Sequence, residues 1–305
     1  MSKMQIDFIK CEYGVSYGGR LVEPFRYMGR IVSDRFQAEK IEFSFPKIEI
    51  QMTSLLPDEK DDKRIDWYNK LPIYYRRKNM VQVILPVAKK EENLTDVFHL
   101  IDEVFDILTS KKKKDDTFDT EKVKTSLLRL KKELQTTDLW ELNHKYKVLL
   151  RQEHIEKVRQ DRVIREQAND EKKSLIYDLR FYYQLPNVEE YGYFSPYDNQ
   201  FCEKIFEKLR QKKFRLPNYT HLYIVVSDSF ENALCRAVRS EKWHIYGVAV
   251  LENHTDYATK NEIEKQRIVF DLIKQGLNDI AKIDKLDSRT LNDVLDEVEQ
   301  SVLWK

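Results

Sequence analysis

Apolar residues near the end of the chain recur at helical spacing in the same order as in its middle. The segment VFHLID at 97–102 matches VFDLIK at 269–274. A second set of positions shares the spacing 4, 3, 4, namely Val123, Leu127, Leu130 and Leu134 with Leu291, Leu295, Val298 and Val302. Such spacing puts apolar side chains on one face of an amphipathic helix. The pattern predicts an internal repeat of strand, helix, charged loop and helix, although helices packed on a sheet also give short matches without duplication.

Glycine and proline divide the first half of the chain. No glycine lies between Gly29 and Gly192, and no proline between Pro86 and Pro186, so residues 87–185 are predicted to be helices joined by polar loops. Residues 1–86 are predicted to be β-structure, because IEFSFPKIEI at 41–50 alternates with period two and MVQVILPV at 80–87 is rich in β-branched residues. Helices are expected at about 94–110 and from an N-cap at Asp119 or Thr120 onward.

The segment 139–180 is predicted to be a charged helical connector, because its second half carries few aliphatic residues among many charges. Beyond it, strands are expected at 220–228 and 243–251, and helices at about 199–212, 261–283 and 288–303. The prediction is therefore an α+β fold with two similar modules, 1–138 and 181–305, joined by this connector. Each module is expected to have a small, mostly antiparallel sheet covered by a helix pair.

Composition limits the possible partners. A chain of 305 residues exceeds the usual size of one hydrophobic core, which favours two domains. The net charge of +1 provides no overall field to attract nucleic acid or anionic lipid. Three widely spaced cysteines, the lack of a signal-peptide pattern and the lack of a long apolar run predict a cytoplasmic protein that does not enter membranes.

Common catalytic and cofactor motifs are not found in the sequence. Seven glycines occur, none in a phosphate-binding loop, and the six histidines form no HExxH or HxH pair. His221 and His244 each open a predicted strand, where a structural role is the more common one. We therefore expect no cofactor and no metal.

One arrangement favours an enzyme. Metal-dependent nucleases of the restriction-enzyme type have an acid followed by a strand with Glu-x-Lys or Glu-x-Gln, and Asp34, Glu49 and Gln51 resemble that pattern. Two carboxylates could hold a divalent cation and orient a water molecule for attack on a phosphodiester. The usual lysine is replaced by Gln51, and Glu49 between two isoleucines also fits a half-exposed strand.

Tyrosines are concentrated between residues 181 and 197, beside Gly192 and two prolines. Tyrosine on an irregular segment offers the rigid, amphipathic area that is enriched in protein interfaces. Tyr182, Tyr191, Tyr193 and Tyr197 are therefore candidate partner-binding residues, with burial in the second core as the alternative.

The closing segment, EKQRIVFDLIKQGLNDIAKIDKLDSRTLNDVLDEVEQSV, resembles the C-terminal helical pair of bacterial immunity proteins from polymorphic toxin systems. Shared features are a helix with an isolated glycine in its apolar stripe, here Gly276, then a loop, an acid and a last helix from Asp287. The resemblance implies a non-catalytic protein that neutralises a cognate toxin by occluding it. Two such units in one chain would depart from the common single-domain form.

The sequence thus predicts a non-catalytic, protein-binding protein, with an immunity protein as the most specific form. Its expected partner is a cognate toxin or another protein. The alternatives are the divalent-metal nuclease and a helical adaptor that dimerises through the connector.

Overall fold

The computed structural model describes residues 4–12, 15–55, 59–86, 93–111, 117–169, 171–183, 197–237, 243–257 and 259–301. The chain divides into two compact units, Met1–Leu149 and Leu150–Lys305. The first unit contains β1 (Gln5–Glu12), β2 (Val15–Gly19), α1 (Met28–Ala38), β3 (Lys47–Ser54), α2 (Asp62–Tyr68), β4 (Ile73–Arg77), β5 (Met80–Pro86), α3 (Leu94–Lys111), α4 (Thr120–Leu134) and the start of α5 (Leu139–Gln167). The second contains the rest of α5, then β6 (Ser174–Leu175), β7 (Asp178–Tyr183), α6 (Tyr197–Gln211), β8 (Arg215–Leu216), β9 (His221–Ser227), α7 (Phe230–Arg236), β10 (His244–Val250), α8 (His254–Tyr257), α9 (Glu262–Ile283) and α10 (Ser288–Ser301).

The first unit is built on a five-stranded sheet in the order β2-β1-β3-β5-β4. Its three central strands, β1, β3 and β5, are parallel, and the two outer strands are antiparallel to their neighbours. One face of the sheet packs on α1, α3 and α4 through a continuous apolar core that includes Ile48, Ile50 and Val83. We call this side the inner face and the opposite side the outer face.

The second unit has a three-stranded sheet in the order β10-β9-β7, and all its strands are parallel. Its inner face packs on α6, α9 and α10. A parallel pair needs a crossover connection, which explains why a helix follows each strand. A short two-stranded sheet of β6 and β8 completes the unit.

The prediction of an α+β fold is confirmed, and the expectation of mostly antiparallel sheets is wrong. Apolar alternation shows which side of a strand is buried but not the direction of its neighbours. Both units have three parallel strands that are neighbours in the sheet in the order of the chain. After the third strand, the first unit has α3 and α4 and the start of α5, and the second has the short α8 and then α9 and α10. Duplication stays a prediction, and Val302 of the matched pattern lies outside the described residues.

The helix pairs at the end of each unit lie where the periodicity predicted them. The apolar positions of α3, α4, α9 and α10 that were matched in sequence and are described are buried, except Leu100, which is partly buried. Asp119 caps α4 by accepting a hydrogen bond from the backbone amide of Lys122, at 3.0 Å. Asn261 and Glu264 form a capping box at the start of α9.

Two helices lie in the segment predicted as β-structure, α1 and α2. The tertiary setting explains α1. A Cβ atom added to Gly29 would lie 2.1 Å from the carbonyl oxygen of Ile6. A residue with a side chain at position 29 would therefore prevent α1 from packing this closely on β1. Glycine is unfavourable in an isolated helix, and its packing advantage is invisible in a linear pattern.

A similarly close contact brings α9 against β10. A Cβ atom on Gly247 would lie 2.1 Å from the carbonyl oxygen of Gly276. On either side of that contact, Gln275 and Asp279 accept hydrogen bonds from the backbone amides of Val250 and Val248, at 2.8 and 2.9 Å. Because β10 is at the edge of the sheet, these side chains satisfy donors that a neighbouring strand would otherwise take.

The division between the two compact units lies inside the predicted connector, 139–180. The boundary between the units falls within α5, and β7 begins at Asp178, before the predicted start of the second module at 181. The C-terminal part of α5 packs on the second unit, where Ile155 and Val158 join a cluster with Val225 and Val248. The adaptor hypothesis stays a prediction.

Ion pairs also attach α5 to the second unit. Arg165 makes two hydrogen bonds to Asp284, at 2.9 and 2.8 Å, and the Asp284 side chain is only 4% exposed. Tyr219 donates a third hydrogen bond to the same carboxylate. Burial and the adjacent Asp284 raise the pKa of Tyr219 above its usual value. Arg162 forms an ion pair with Asp279, which also accepts a hydrogen bond from the backbone amide of Val248 on β10.

Among the described residues, no helix is both long enough and apolar enough to cross a membrane.

Candidate functional site

The outer face of the second sheet carries a regular array of aromatic side chains. The strand register aligns His244, His221 and Asp178 in one row, and Tyr246, Tyr223 and Arg180 in the next. Because successive residues of a strand point to opposite faces, these two rows share the outer face. Tyr182 follows on β7, and Tyr177 precedes it. We call these eight residues the aromatic surface.

The rings of the aromatic surface contact one another. Tyr223 stacks on His244 with centroids 5.1 Å apart and meets Tyr246 edge-on at 5.4 Å. Tyr182 also meets Tyr223 edge-on at 5.4 Å, and Tyr177 lies 5.3 Å from His221. Such pairs restrict ring rotation, so the rings hold a defined arrangement.

Arg180 lies over this array. Its guanidinium carbon is 5.8 Å from the centre of the Tyr223 ring, and Nε donates to Asp178 at 2.6 Å. Hydrogen bonds to Tyr182 and Asp178 raise the pKa of Arg180 above its usual value. Burial, with Tyr182 and Asp178 nearby, raises the pKa of Tyr223, whose hydroxyl therefore stays protonated as a potential donor at neutral pH.

His221 has a defined orientation at the start of β9. Its Nδ1 atom lies 3.1 Å from the carbonyl oxygen of Trp243 and 2.8 Å from the Thr220 hydroxyl. These two contacts fix the position of the imidazole ring.

The aromatic surface is partly open to solvent. Tyr177 is 72% exposed and the neighbouring Trp243 is 59% exposed. His221, Tyr223 and Tyr246 are half-buried. Farther along the same face, α5 and α7 bury Val225 and Val248. The outer face is therefore covered at the carboxyl ends of the strands and partly exposed at their amino ends.

The first unit provides an internal comparison. One row of aligned residues on its outer face is Asp7, Glu49 and Gln82. A sheet with the same order of parallel strands therefore accepts charged and amide side chains at these positions. The order and direction of the strands alone therefore do not require aromatic rings on this face.

Glu49 is held within a polar network on that face. Gln51 and Gln82 donate to one oxygen of its carboxylate at 3.0 and 2.9 Å, and Lys47 lies 3.3 Å from the other. Lys47 also pairs with Asp7 at 2.8 Å. The Glu49 side chain is only 15% exposed. Its charge is thus already balanced by amide donors and an ammonium group.

Asp34 lies away from this network. It is on α1, which packs on the inner face with Ile48 and Ile50, whereas Glu49 and Gln51 are on the outer face. Asp34 instead pairs with Arg30 at 2.9 Å. The three nuclease candidates do not converge, and in the described part of the chain no group of three histidine, cysteine or acidic side chains is arranged to hold a metal ion.

The four candidate tyrosines do not form one surface. Tyr182 belongs to the aromatic surface. Tyr197 starts α6 on the inner side of the sheet, packs against the core, and donates to Glu262 at 2.6 Å. This contact and Lys265 lower the pKa of Glu262. Tyr191 and Tyr193 lie outside the described residues.

Sequence reasoning missed most of the aromatic surface, although a signal was present. Strands β9 and β10 begin HLY and HIY, and both triplets occupy the same register. Each histidine was interpreted singly, as a structural residue at a strand start. Comparison of the chain with protein-family models, curated proteins and solved structures gives no match. The geometry of the aromatic surface is therefore the basis for a functional assignment.

Proposed function

We propose that this protein is a non-catalytic binding protein that contacts a protein partner through the aromatic surface. The observation that carries the proposal is that β9 and β10 both begin with His-x-Tyr and are aligned, so that their four rings lie together and are partly exposed. The outer face of the first sheet has charged and amide side chains instead. Tyrosine, tryptophan and arginine are the residues most enriched among those that dominate binding energy in protein interfaces.

The charge of the surface favours a protein over nucleic acid. Its guanidinium, Arg180, is paired with Asp178, so the described residues of the surface carry no net charge when the histidines are neutral. Binding to a phosphate backbone depends on several unpaired lysine or arginine contacts. Polar hydroxyl, imidazole and indole groups around apolar rings suit the mixed surface of a protein.

In its most specific form, the proposed function is that of an immunity protein that occludes a toxin. The support for this form is the resemblance of the last two helices to immunity proteins. Occlusion requires a rigid surface rather than a reactive group, and the mutually packed rings of the aromatic surface meet that requirement.

Photo-crosslinking in cells of the source organism tests the proposal. Benzoylphenylalanine is placed at Tyr223 or, as a matched control, at Tyr75, an outer-face tyrosine of the first sheet that is 45% exposed. We expect one protein adduct from position 223 and not from position 75. Equal labelling at both positions, no adduct, or an adduct with nucleic acid would contradict the proposal.

Growth assays then test the immunity form. The captured partner should arrest growth when expressed alone, and co-expression of this protein should restore it. The double variant Tyr223→Ser/Tyr246→Ser should fail to protect at equal abundance. A partner that leaves growth unaffected would refute the immunity form and leave the binding function in place.

A further inference from the structure

We infer that helix α5 positions the aromatic surface through two largely buried ion pairs, Arg162 with Asp279 and Arg165 with Asp284. This inference rests on the proposed function, because it concerns the shape of the surface that the partner contacts. It adds two positioning residues, Arg162 and Arg165, which lie outside the aromatic surface and act on it through other groups.

The second half of α5 has a small apolar contact with the outer face, through Ile155 and Val158. Three arginines at a spacing of three residues add ion pairs to the second unit, namely Arg159 with Glu231, Arg162 with Asp279 and Arg165 with Asp284. The Arg162 and Arg165 side chains are 14% and 13% exposed, whereas that of Arg159 is 46% exposed. Exposed ion pairs are screened by water and hold little geometry, so the two shielded pairs are the ones that fix this part of the helix.

The first shielded pair leads to β10. One oxygen of the Asp279 carboxylate accepts from Arg162, and the other accepts a hydrogen bond from the Val248 amide at 2.9 Å. Val248 comes two residues after Tyr246 on the same strand, so both side chains are on the outer face. A shift of Asp279 would therefore move the strand that carries His244 and Tyr246. We call this connection the β10 link.

The second shielded pair leads to the start of β9. Asp284 accepts two hydrogen bonds from Arg165 and one from the hydroxyl of the buried Tyr219. Tyr219 precedes His221 by two residues, and the hydroxyl of the intervening Thr220 lies 2.8 Å from Nδ1 of His221. The position of the His221 ring therefore depends on a segment that Asp284 holds. We call this connection the β9 link.

The two links act on neighbouring strands whose rings contact each other. Tyr223 of β9 stacks on His244 of β10, so this contact depends on the position of both strands. A binding site must be held to within about 0.5 Å by the groups around it. A loss of either link should therefore weaken binding at the aromatic surface, although neither arginine belongs to it.

Ring NMR spectra of the free full-length chain, with labelled histidine and tyrosine, test whether the links act on the surface. Tyr219→Phe removes one hydroxyl of the β9 link and should shift the ring signals of His221. Arg162→Gln removes the charge from the β10 link and should shift those of Tyr246. Arg159→Gln, which breaks the pair with α7, is the matched control and should leave both unchanged. Unchanged signals in the first two variants, or equal shifts in all three, would overturn the inference.

Photo-crosslinking from position 223 measures the effect on binding, at a temperature at which melting curves show each variant to be folded. Tyr219→Phe and Arg162→Gln should each lower the yield of the protein adduct about fivefold, as expected for one lost hydrogen bond. Arg162→Lys keeps the charge and should restore the yield, and Arg159→Gln should not change it. If Arg162→Gln does not fold, Tyr219→Phe decides the outcome. Equal yields in all variants would refute this inference alone, whereas no adduct from the unaltered chain would refute the proposed function.

Discussion

Replacing Gly247 with alanine should separate α9 from β10. The new Cβ atom would lie 2.1 Å from the Gly276 carbonyl oxygen and 2.7 Å from Cγ1 of Ile280. A relaxed carbon–oxygen contact is about 3.3 Å, so the helix must move away by about 1.2 Å. The obstacle is backbone, and a rotamer change cannot relieve it.

The expected cost combines two effects. Overpacking of a well-packed core costs about 1–3 kcal/mol. Displacing α9 also weakens the hydrogen bonds from the Val248 and Val250 amides to Asp279 and Gln275, at about 1 kcal/mol each. The free energy of unfolding of the second unit should therefore fall by about 3–5 kcal/mol, which lowers its melting temperature by about 6–20 °C.

Thermal unfolding and amide hydrogen exchange measure the two effects separately. In Gly247→Ala, the Val248 and Val250 amides should lose protection before the rest of the sheet. Gly276→Ala should cost less, because its Cβ meets the Ile224 side chain at 2.5 Å and alanine favours the helix by about 1 kcal/mol. Asn278→Ala, an exposed position of α9, is the control. A loss below about 1 kcal/mol with both amides still protected would refute the close-contact explanation.

Three further changes probe other parts of the chain. Asp284→Ala removes the buried carboxylate that accepts hydrogen bonds from Arg165 and Tyr219, so it should destabilise the second unit by about 3–5 kcal/mol in denaturant unfolding. A loss near zero would contradict the buried ion pair between Arg165 and Asp284. Burial, then the nearby Asp34, raises the pKa of Tyr146 to about 12. The stabilisation that comes from the protonated Tyr146 is therefore complete below about pH 10 and is lost between about pH 10 and 12, where the unfolded chain releases this proton first. Tyr146→Phe should make the fall in melting temperature over this pH range less steep, and parallel curves for the two proteins would refute this explanation. Glu49→Ala should lower stability by about 1–2 kcal/mol and leave crosslinking at the aromatic surface unchanged; loss of a magnesium-dependent DNA cleavage would instead support a nuclease.

Periodicity in the sequence determined the terminal helix pairs. In α4 and α9 the apolar positions repeat every three or four residues, and Asp119 and Asn261 supply acceptors for the first free amides. These signals are local, because a helix satisfies its backbone within its own segment. Strands β9 and β10 were likewise visible as dense apolar runs, since both faces of their carboxyl ends are buried.

The tertiary structure decided the direction of the strands and the position of α1. Hydrogen bonds between strands join residues far apart in the chain, so alternation cannot specify a parallel neighbour. Helix α1 is stabilised where Gly29 meets the backbone of β1, a contact that exists only after the sheet has formed.

The candidate site depended on register most of all. The sequence located Tyr182 but could not separate it from Tyr197, because the side of the sheet that each residue faces is a three-dimensional property. Two His-x-Tyr triplets 23 residues apart become one surface when β9 and β10 pair His221 with His244. The sequence alone therefore determined which aromatic residues each strand carries. The pairing of the strands decided that these residues lie together. A shift of one residue in the register would move the side chains of one strand to the opposite face of the sheet.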